Sequence, residues 1–217
     1  MKIFVGARSS NLSKKQVEEV QKELFLHHPE IELVPVWASS PGDRDRTTSL
    51  RLVEMSDFFT KDLDQMLLEK KIDATIHSAK DLPDPLRQEF VIAALTEGLD
   101  PRDSIVFLQE LKKGAKIALS SARREEIVRK IDPTFQLVDL RGTIEERLSL
   151  LEKKEVDGVV VAEAALIRLG LTSLNRRILP EKGHPLQGRL AIVIRKEDHH
   201  LQTIFRSLHA EDFVFRT

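Results

Sequence analysis

Lys2-Ile3-Phe4-Val5-Gly6-Ala7-Arg8-Ser9-Ser10 is the stretch whose reading decides the fold. Its apolar start reads as a short β-strand from Lys2 to Gly6. The Ser9-Ser10 pair then caps a helix on which Val17, Val20 and Leu24 recur at i, i+3 and i+7. A strand feeding a helix through a polar cap is the opening move of an α/β protein. Further along, Ile31 to Trp37 reads as a second strand. Ser39 to Asp57 holds Pro41-Gly42, a dense set of charges from Asp43 to Arg51 and no clean period, which predicts a loop. A helix from Thr60 to Lys71 presents Leu63, Met66 and Leu67 on one face, and Asp73 to His77 reads as a buried strand.

The same order returns later in the chain. Lys116 to Leu119 reads as a strand, Ser120-Ser121 as a helix start, Phe135 to Leu140 as a strand, Thr143-x-x-Glu146 as a capping box and Gly158 to Val161 as a strand. Ala7-Arg8-Ser9-Ser10 matches Ala118-Leu119-Ser120-Ser121 at an offset of 111, and Leu67 to Asp73 matches Leu150 to Asp157 from an offset of 83. The first copy is therefore longer between the matches by about 28 residues. This pattern predicts an α/β protein of two similar lobes with mainly parallel sheets flanked by helices. Ligands are expected in a cleft between the lobes, beyond the carboxyl ends of the strands. The late strand Leu190 to Ile194 and a helix from His200 to His209 are expected to return to the first lobe. Lobe 1 is then 1–92 plus 190–217, and lobe 2 is 93–189.

A chain of 217 residues is long enough for two cores. Lys+Arg 34 against Asp+Glu 35 leaves a formal net charge of -1, so neither a nucleic acid nor a membrane is expected as partner. With no Cys, disulfides, thiolate zinc sites and thiol nucleophiles are excluded within this chain. The N-terminus shows no signal-peptide core and no stretch has membrane length, so a cytoplasmic monomer is expected.

Arginines stand where strands end and helices begin: Arg8 after the first strand, Arg123 and Arg124 after Ser120-Ser121, and Arg141 after Phe135 to Leu140. Arg147 and Arg168 lie on the two helices that follow. Helix N-termini attract anions, and guanidinium adds a planar fork for carboxylate or phosphate. Any one of these arginines taken alone is equally an ordinary solvated helix residue. Ile76 to Pro85 leaves Ser78, Lys80 and Asp81 at a strand's carboxyl end, where an α/β protein places chemistry. Asp81 could also simply cap the turn before Pro83. His77 reads as a packed strand residue, His199-His200 as a solvated helix start, and no spacing suggests a metal site.

Taken in order, these segments resemble the porphobilinogen deaminase family. Gly6 to Leu12, Phe59-x-Lys61-Asp62-Leu63-Asp64, Asp73 to Pro83, Asp100-Pro101-Arg102-Asp103, Ser120 to Arg124, Arg141 to Leu148 and Arg168-Leu169-Gly170 are similar to its motifs in order and spacing. The resemblance implies the joining of four porphobilinogen units into hydroxymethylbilane with loss of ammonia. It implies that Asp81 steadies positive charge on the pyrrole nitrogen. It assigns Arg8, Arg123, Arg124, Arg141, Arg147 and Arg168 to ligand carboxylates, with Ser10, Lys80, Ser121 and Gln187 in support, and lays Phe59 over the cofactor. Ser39 to Phe59 would be the family's mobile active-site loop.

The chain departs from the family at Ser56-Asp57-Phe58-Phe59, where a lysine and a glycine are replaced, at Leu119, at Thr143 and at Leu186-Gln187-Gly188. The family holds a dipyrromethane cofactor through a cysteine of a third domain, which is expected to be absent here. Without a cysteine, any dipyrromethane would be held non-covalently. The competing reading is a non-catalytic polypyrrole or anion-binding protein, because two lobes around an anion cleft also describe type II periplasmic binding proteins. Asp81 favours the enzyme, since a binder needs the arginines but gains nothing evident from that carboxylate.

Overall fold

The structure, a computed structural model, describes residues 1–39 and 59–212. Apart from its two end residues, the loop read at Ser39 to Phe59 lies outside the described residues. Among them the chain forms two compact units, one from residues 1–39, 59–98 and 188–212 and the other from 99–187.

The first unit is a five-stranded sheet in the order β2-β1-β3-β10-β4. It contains β1 (Lys2–Arg8), β2 (Glu32–Ala38), β3 (Ala74–Ser78), β4 (Phe90–Leu95) and β10 (Leu190–Arg195). β1 runs parallel to β2 and β3, while β10 runs antiparallel to β3 and β4. The sheet is therefore mixed rather than simply parallel: β10 arrives from a distant part of the chain and inserts against its neighbours' direction. Alternation along β1 turns Ile3, Val5 and Ala7 to one face. There they pack with Val17, Val20 and Leu24 of α1 (Asn11–His27) and with Ile204 and Phe205 of α6 (His199–Phe205). Phe205 is fully buried, and its truncation to Ala would cost about 3–5 kcal/mol. On the other face α2 (Lys61–Leu68) approaches β1 at Gly6, where a Cβ would collide with Ile72 Cδ1 and lie 2.9 Å from Leu63 Cδ2. Glycine at this point is what lets helix and strand meet.

The second unit repeats the plan in the order β7-β6-β8-β5-β9. Its strands are β5 (Arg102–Phe107), β6 (Lys116–Leu119), β7 (Gln136–Asp139), β8 (Gly158–Ala162) and β9 (Arg176–Lys182). β6 is parallel to β7 and β8, and β5 is antiparallel to β8 and β9. Its helices are α3 (Ala122–Ile131), α4 (Ile144–Glu152) and α5 (Glu163–Arg168). Ile105, Ile117, Leu119 and Val160 of the strands bury against Ile127 and Val128 of α3.

The internal repeat extends to single hydrogen bonds. Phe4 N donates to Asp73 Oδ2 at 2.8 Å, 69 residues apart, and Lys116 N donates to Asp157 Oδ2 at 2.8 Å, 41 residues apart. The difference is the 28 residues read from the sequence. Lys70 (φ 56) and Lys154 (φ 57) both adopt the left-handed conformation that ends a helix, and the next residues, Lys71 and Glu155, donate back to Met66 O and Leu150 O. These pairs align at an offset of 84, so the identity of Leu67-Leu68-Glu69-Lys70-Lys71 with Leu150 to Lys154 was read one residue out of register.

Other boundaries also move. The lobe limit expected between 92 and 93 falls inside β4, whose pairing with β10 continues to Leu95. Arg189 sits with the first unit, because Ala79 N donates to its carbonyl at 3.0 Å and its Nη1 donates to Thr96 O at 3.2 Å. The helix expected to reach Lys71 ends at Leu68, and the one expected over His200 to His209 is α6 followed by a 3₁₀ turn at Arg206–Leu208.

Candidate active site

β1 and β3 are adjacent parallel strands, so their carboxyl ends open side by side in the first unit. Arg8 is the last residue of β1. Ser10 is the N-cap of α1, its side chain accepting from Ser13 N at 3.2 Å. At the end of β3, Ser78 Oγ accepts from Gln16 Nε2 of α1 at 2.8 Å. The chain then makes a 3₁₀ turn, Ala79–Asp81, on which Lys80 and Asp81 are half-buried. Arg8, Ser10, Gln16, Phe59, His77 and Asp81 line one cavity of about 60 Å³. The Arg8 guanidinium lies over the Phe59 ring, 4.9 Å from its centroid, a cation–π contact that fixes both groups.

His77 belongs to this cavity rather than only to the core. It is buried, and its Nε2 has no hydrogen-bond partner. Burial, and then the positive charge of Arg8, lower its pKa to about 4, so it is neutral at physiological pH. The cavity thus sets a carboxylate, Asp81, against a neutral imidazole, with the Arg8 cation on the wall. A ligand group that gains positive charge has a counter-charge here, and an anionic substituent has Arg8 and the Ser10 hydroxyl.

The second unit builds a different arrangement at the equivalent helix start. Ser121 caps α3, its side chain accepting from Arg124 N at 3.3 Å, and Arg123 and Arg124 occupy the first turn. Both reach Asp103 on β5. Arg123 Nη2 donates to Oδ2 at 2.5 Å and Arg124 Nη2 to Oδ1 at 2.6 Å. Asp103 is fully buried; burial alone would raise its pKa, but the charges and hydrogen bonds of Arg124 and then Arg123 win and hold it at about 2. Arg124 is buried as well, with Nη1 directed to Ser120 Oγ and Val160 O. Arg123 is a third exposed, and its Nη1 has no hydrogen-bond partner.

Gln187, expected to support a ligand carboxylate, lies beside Asp103. It is buried, and its Nε2 donates to Pro101 O at 2.8 Å, Arg102 O at 3.1 Å and Asp103 Oδ1 at 3.0 Å. These bonds tie the amide nitrogen to the start of β5. Arg141 follows β7 and is half-buried; Gly142, at φ 92, turns the chain into α4, which Thr143 and Glu146 open as the expected capping box. Arg147 Nε donates to Gly142 O at 2.8 Å, tying the helix to that turn, and Arg168 is the last residue of α5.

The structure therefore gathers Arg8, Ser10, Phe59 and Asp81 around one cavity, and gathers Arg123, Arg124 and Gln187 around Asp103. Sequence reasoning missed Gln16, His77 and Asp103 as members of these groups. Asp103 stood in the quoted Asp100-Pro101-Arg102-Asp103 motif, and only a pairing 20 and 21 residues away reveals its purpose. Among the described residues no group of acidic or imidazole side chains could hold a metal ion, and no helix is long and apolar enough to cross a membrane.

Two α/β units of this strand order, each with its polar groups at the strand ends and helix starts, define the fold of type II periplasmic binding proteins. The methionine-binding protein MetQ superposes with a TM-score of 0.59 at 15% identity, over 97% of this chain and 91% of that one, a likeness of fold alone. Sequence similarity is more specific: residues 3–203 match the family model described as porphobilinogen deaminase, dipyromethane cofactor binding domain. A relative from Chlamydia trachomatis serovar D, named a probable porphobilinogen deaminase, is 39% identical over 87% of this chain and 79% of its own length. A porphobilinogen deaminase of Fusobacterium nucleatum is 34% identical over 96% of this chain and 73% of its own length. The chain belongs to the porphobilinogen deaminase family.

Proposed function

We propose that this chain is a hydroxymethylbilane synthase, a transferase that condenses four porphobilinogen units head to tail, with loss of ammonia at each step, in tetrapyrrole biosynthesis. The observation that carries the reading is Asp81, set on a turn at the carboxyl end of β3 and facing the same cavity as Arg8 and Ser10. In each step the bond from methylene carbon to the protonated amino nitrogen breaks, the nitrogen leaves with the electron pair as ammonia, and the free α-carbon of the growing chain's terminal pyrrole bonds to that methylene and gives up its proton to solvent. The pyrrole nitrogen's lone pair fills the vacancy, so positive charge grows on the ring. A carboxylate already in place lowers that barrier without reorganising at the moment of reaction. His77, neutral down to about pH 4, adds no competing charge beside it.

Porphobilinogen and its polymers carry acetate and propionate groups. In this reading Arg8, Ser10, Lys80, Ser121, Arg123, Arg141, Arg147 and Arg168 bind them, Phe59 packs against a pyrrole, and Arg124 acts through Asp103 and Arg123. A dipyrromethane, when bound, supplies the open pyrrole position from which the product grows. Its carboxylates suit this donor set, which includes the partly exposed Arg123, but a thioether has no place here because the chain has no Cys. The pyrroles that prime elongation are then held by reversible ion pairs, weakened by salt. We place this work in the cytoplasm, in a monomer.

The test is to incubate purified protein with porphobilinogen and follow ammonia and bilane together. Both should appear, after a lag that preformed dipyrromethane shortens, and the denatured protein should show its bare sequence mass. Porphobilinogen bound but left unchanged would overturn the enzyme reading. A pyrrole adduct surviving denaturation would overturn the non-covalent one.

A further inference from the structure

We propose that Asp103 is the positioning residue of the carboxylate-binding arginines, joining Arg123 and Arg124 into a single unit of one net positive charge whose exposed member is Arg123. The proposal rests on the function given above and adds to it a residue that touches no ligand.

The geometry separates the two arginines by role. Each Asp103 oxygen accepts one guanidinium nitrogen, and Oδ1 also accepts Gln187 Nε2. Arg124, with 6% of its side chain exposed, is enclosed, whereas Arg123 keeps 33% exposed. Arg123 is therefore the group that can meet a ligand, and Arg124 is the group that holds the carboxylate Arg123 leans on. Without a shared counter-charge, two guanidiniums on one helix turn would repel and spread. With it, the Arg123 fork is held at a fixed angle, which is what bidentate recognition of a carboxylate requires. Gln187 extends the frame: by also donating to Pro101 O and Arg102 O it locks the strand start that carries Asp103. The Asp100-Pro101-Arg102-Asp103 motif and Gln187 thus serve one purpose. Asp100 Oδ2 itself takes Arg102 Nη2 at 2.6 Å.

Asp103→Asn keeps the shape but turns a donor toward one of the arginines and raises the local net charge from one to two. Two effects then oppose: the fork loses its angle, and the unsteered charge grows. Added charge acts through space and is screened by salt, while lost geometry is not. KM for porphobilinogen should therefore rise about tenfold at physiological ionic strength, a deficit that narrows at low salt, with kcat within about twofold of wild type. A purely structural role would lower kcat along with binding and give no split between KM and kcat, and that result, or an unchanged KM, overturns the proposal. Should Asp103→Asn fail to fold, Asp103→Asn with Arg124→Gln removes the buried charge and restores the net charge of one. It should fold and still bind weakly, and wild-type binding by it refutes the role of Asp103.

Calorimetric titration with a synthetic dipyrromethane carrying acetate and propionate groups gives a readout without turnover. Wild type is expected to bind it, and the variant to bind it about tenfold less tightly at physiological salt. If wild type binds the probe but consumes no porphobilinogen, the enzymatic reading falls while Asp103 keeps its role. If wild type turns over and the variant binds the probe equally well, Asp103 loses its role while the function stands. No binding by wild type overturns both.

Discussion

The two units share a backbone plan and differ in where they put charge. Ser13 and Arg124 are equivalent, each the buried third residue of a helix and each donating its N–H to a capping serine, Ser10 or Ser121. Leu190 and Asp103 are equivalent too: Leu190 pairs with Ser78 at the end of β3, and Asp103 pairs with Ala162 at the end of β8. In the first unit this pair of positions is Ser and Leu, the carboxylate stands outside on the turn after β3, and the cation is on the strand end. In the second the pair is Arg and Asp, with the carboxylate beneath the helix. A carboxylate on a half-exposed turn can answer to a ligand's changing charge. One shared by two guanidiniums is already occupied, and its chemistry is to hold them still.

The largest test of this division is catalytic. Asp81→Asn should lower kcat by about 10²–10³-fold and change KM little, because the charge matters as the pyrrole becomes cationic. Steady-state kinetics of the two Asp→Asn variants side by side would then show opposite signatures, kcat for Asp81 and KM for Asp103. A KM effect at both positions would break the comparison.

Stability should divide the other way. Arg124→Lys leaves Asp103 buried with a poorer partner and should cost about 3 kcal/mol in denaturant unfolding. Arg8→Lys, at a half-exposed strand end, should cost less than about 1 kcal/mol. Equal losses would mean that Arg8 is also a structural anchor.

The buried titrating groups add a pH signature of the same size. His77 has a folded pKa of about 4 against an ordinary value of 6.5, so between these values the unfolded chain binds the extra proton. Its contribution is therefore complete above pH 6.5 and lost as pH falls toward 4, about 3 kcal/mol in all. Asp103, lowered from 3.8 to about 2, gives stability that is present above 3.8 and lost as pH falls through 2. Unfolding followed from pH 7 to 4 should slope downward in wild type and lose most of that slope in His77→Gln. An unchanged slope would place the titration elsewhere.

What could be read from the sequence divides along similar lines. β1, β3, β6, β8 and β10 are apolar runs with polar punctuation, and local pattern suffices for them. β5 begins with Arg102 and Asp103, which look like loop residues until Asp103 is paired with arginines of a later helix. β9, Arg176–Lys182, carries four charges and Pro180 and is tolerated because it is an edge strand. β4 is a plain apolar run, Phe90–Leu95, and its signal was available. The direction of β10 was not, since nothing local to Leu190–Arg195 says which way it enters a sheet. The Asp81 segment stood out because its polar residues cluster in sequence, whereas the spending of Gln187 on Pro101 lies 86 residues away.

The smallest test returns to what the units share. Lys70 and Lys154 hold the left-handed conformation at the ends of α2 and α4, at φ 56 and 57. A side chain there costs about 1 kcal/mol or more, and glycine removes that cost while adding roughly 0.4–1 kcal/mol of unfolded-state entropy. Lys70→Gly and Lys154→Gly should therefore each stabilise the protein by about 0.5 kcal/mol. Neither change touches the cavity at Asp81 or the arginines on Asp103, so kinetics should stay at wild-type values. Because both turns make the same hydrogen bonds at the same φ, the two gains should be equal and additive in the double variant. A gain at one site with a loss at the other would show that the turns match in shape but not in strain, and that the duplication ends at the backbone.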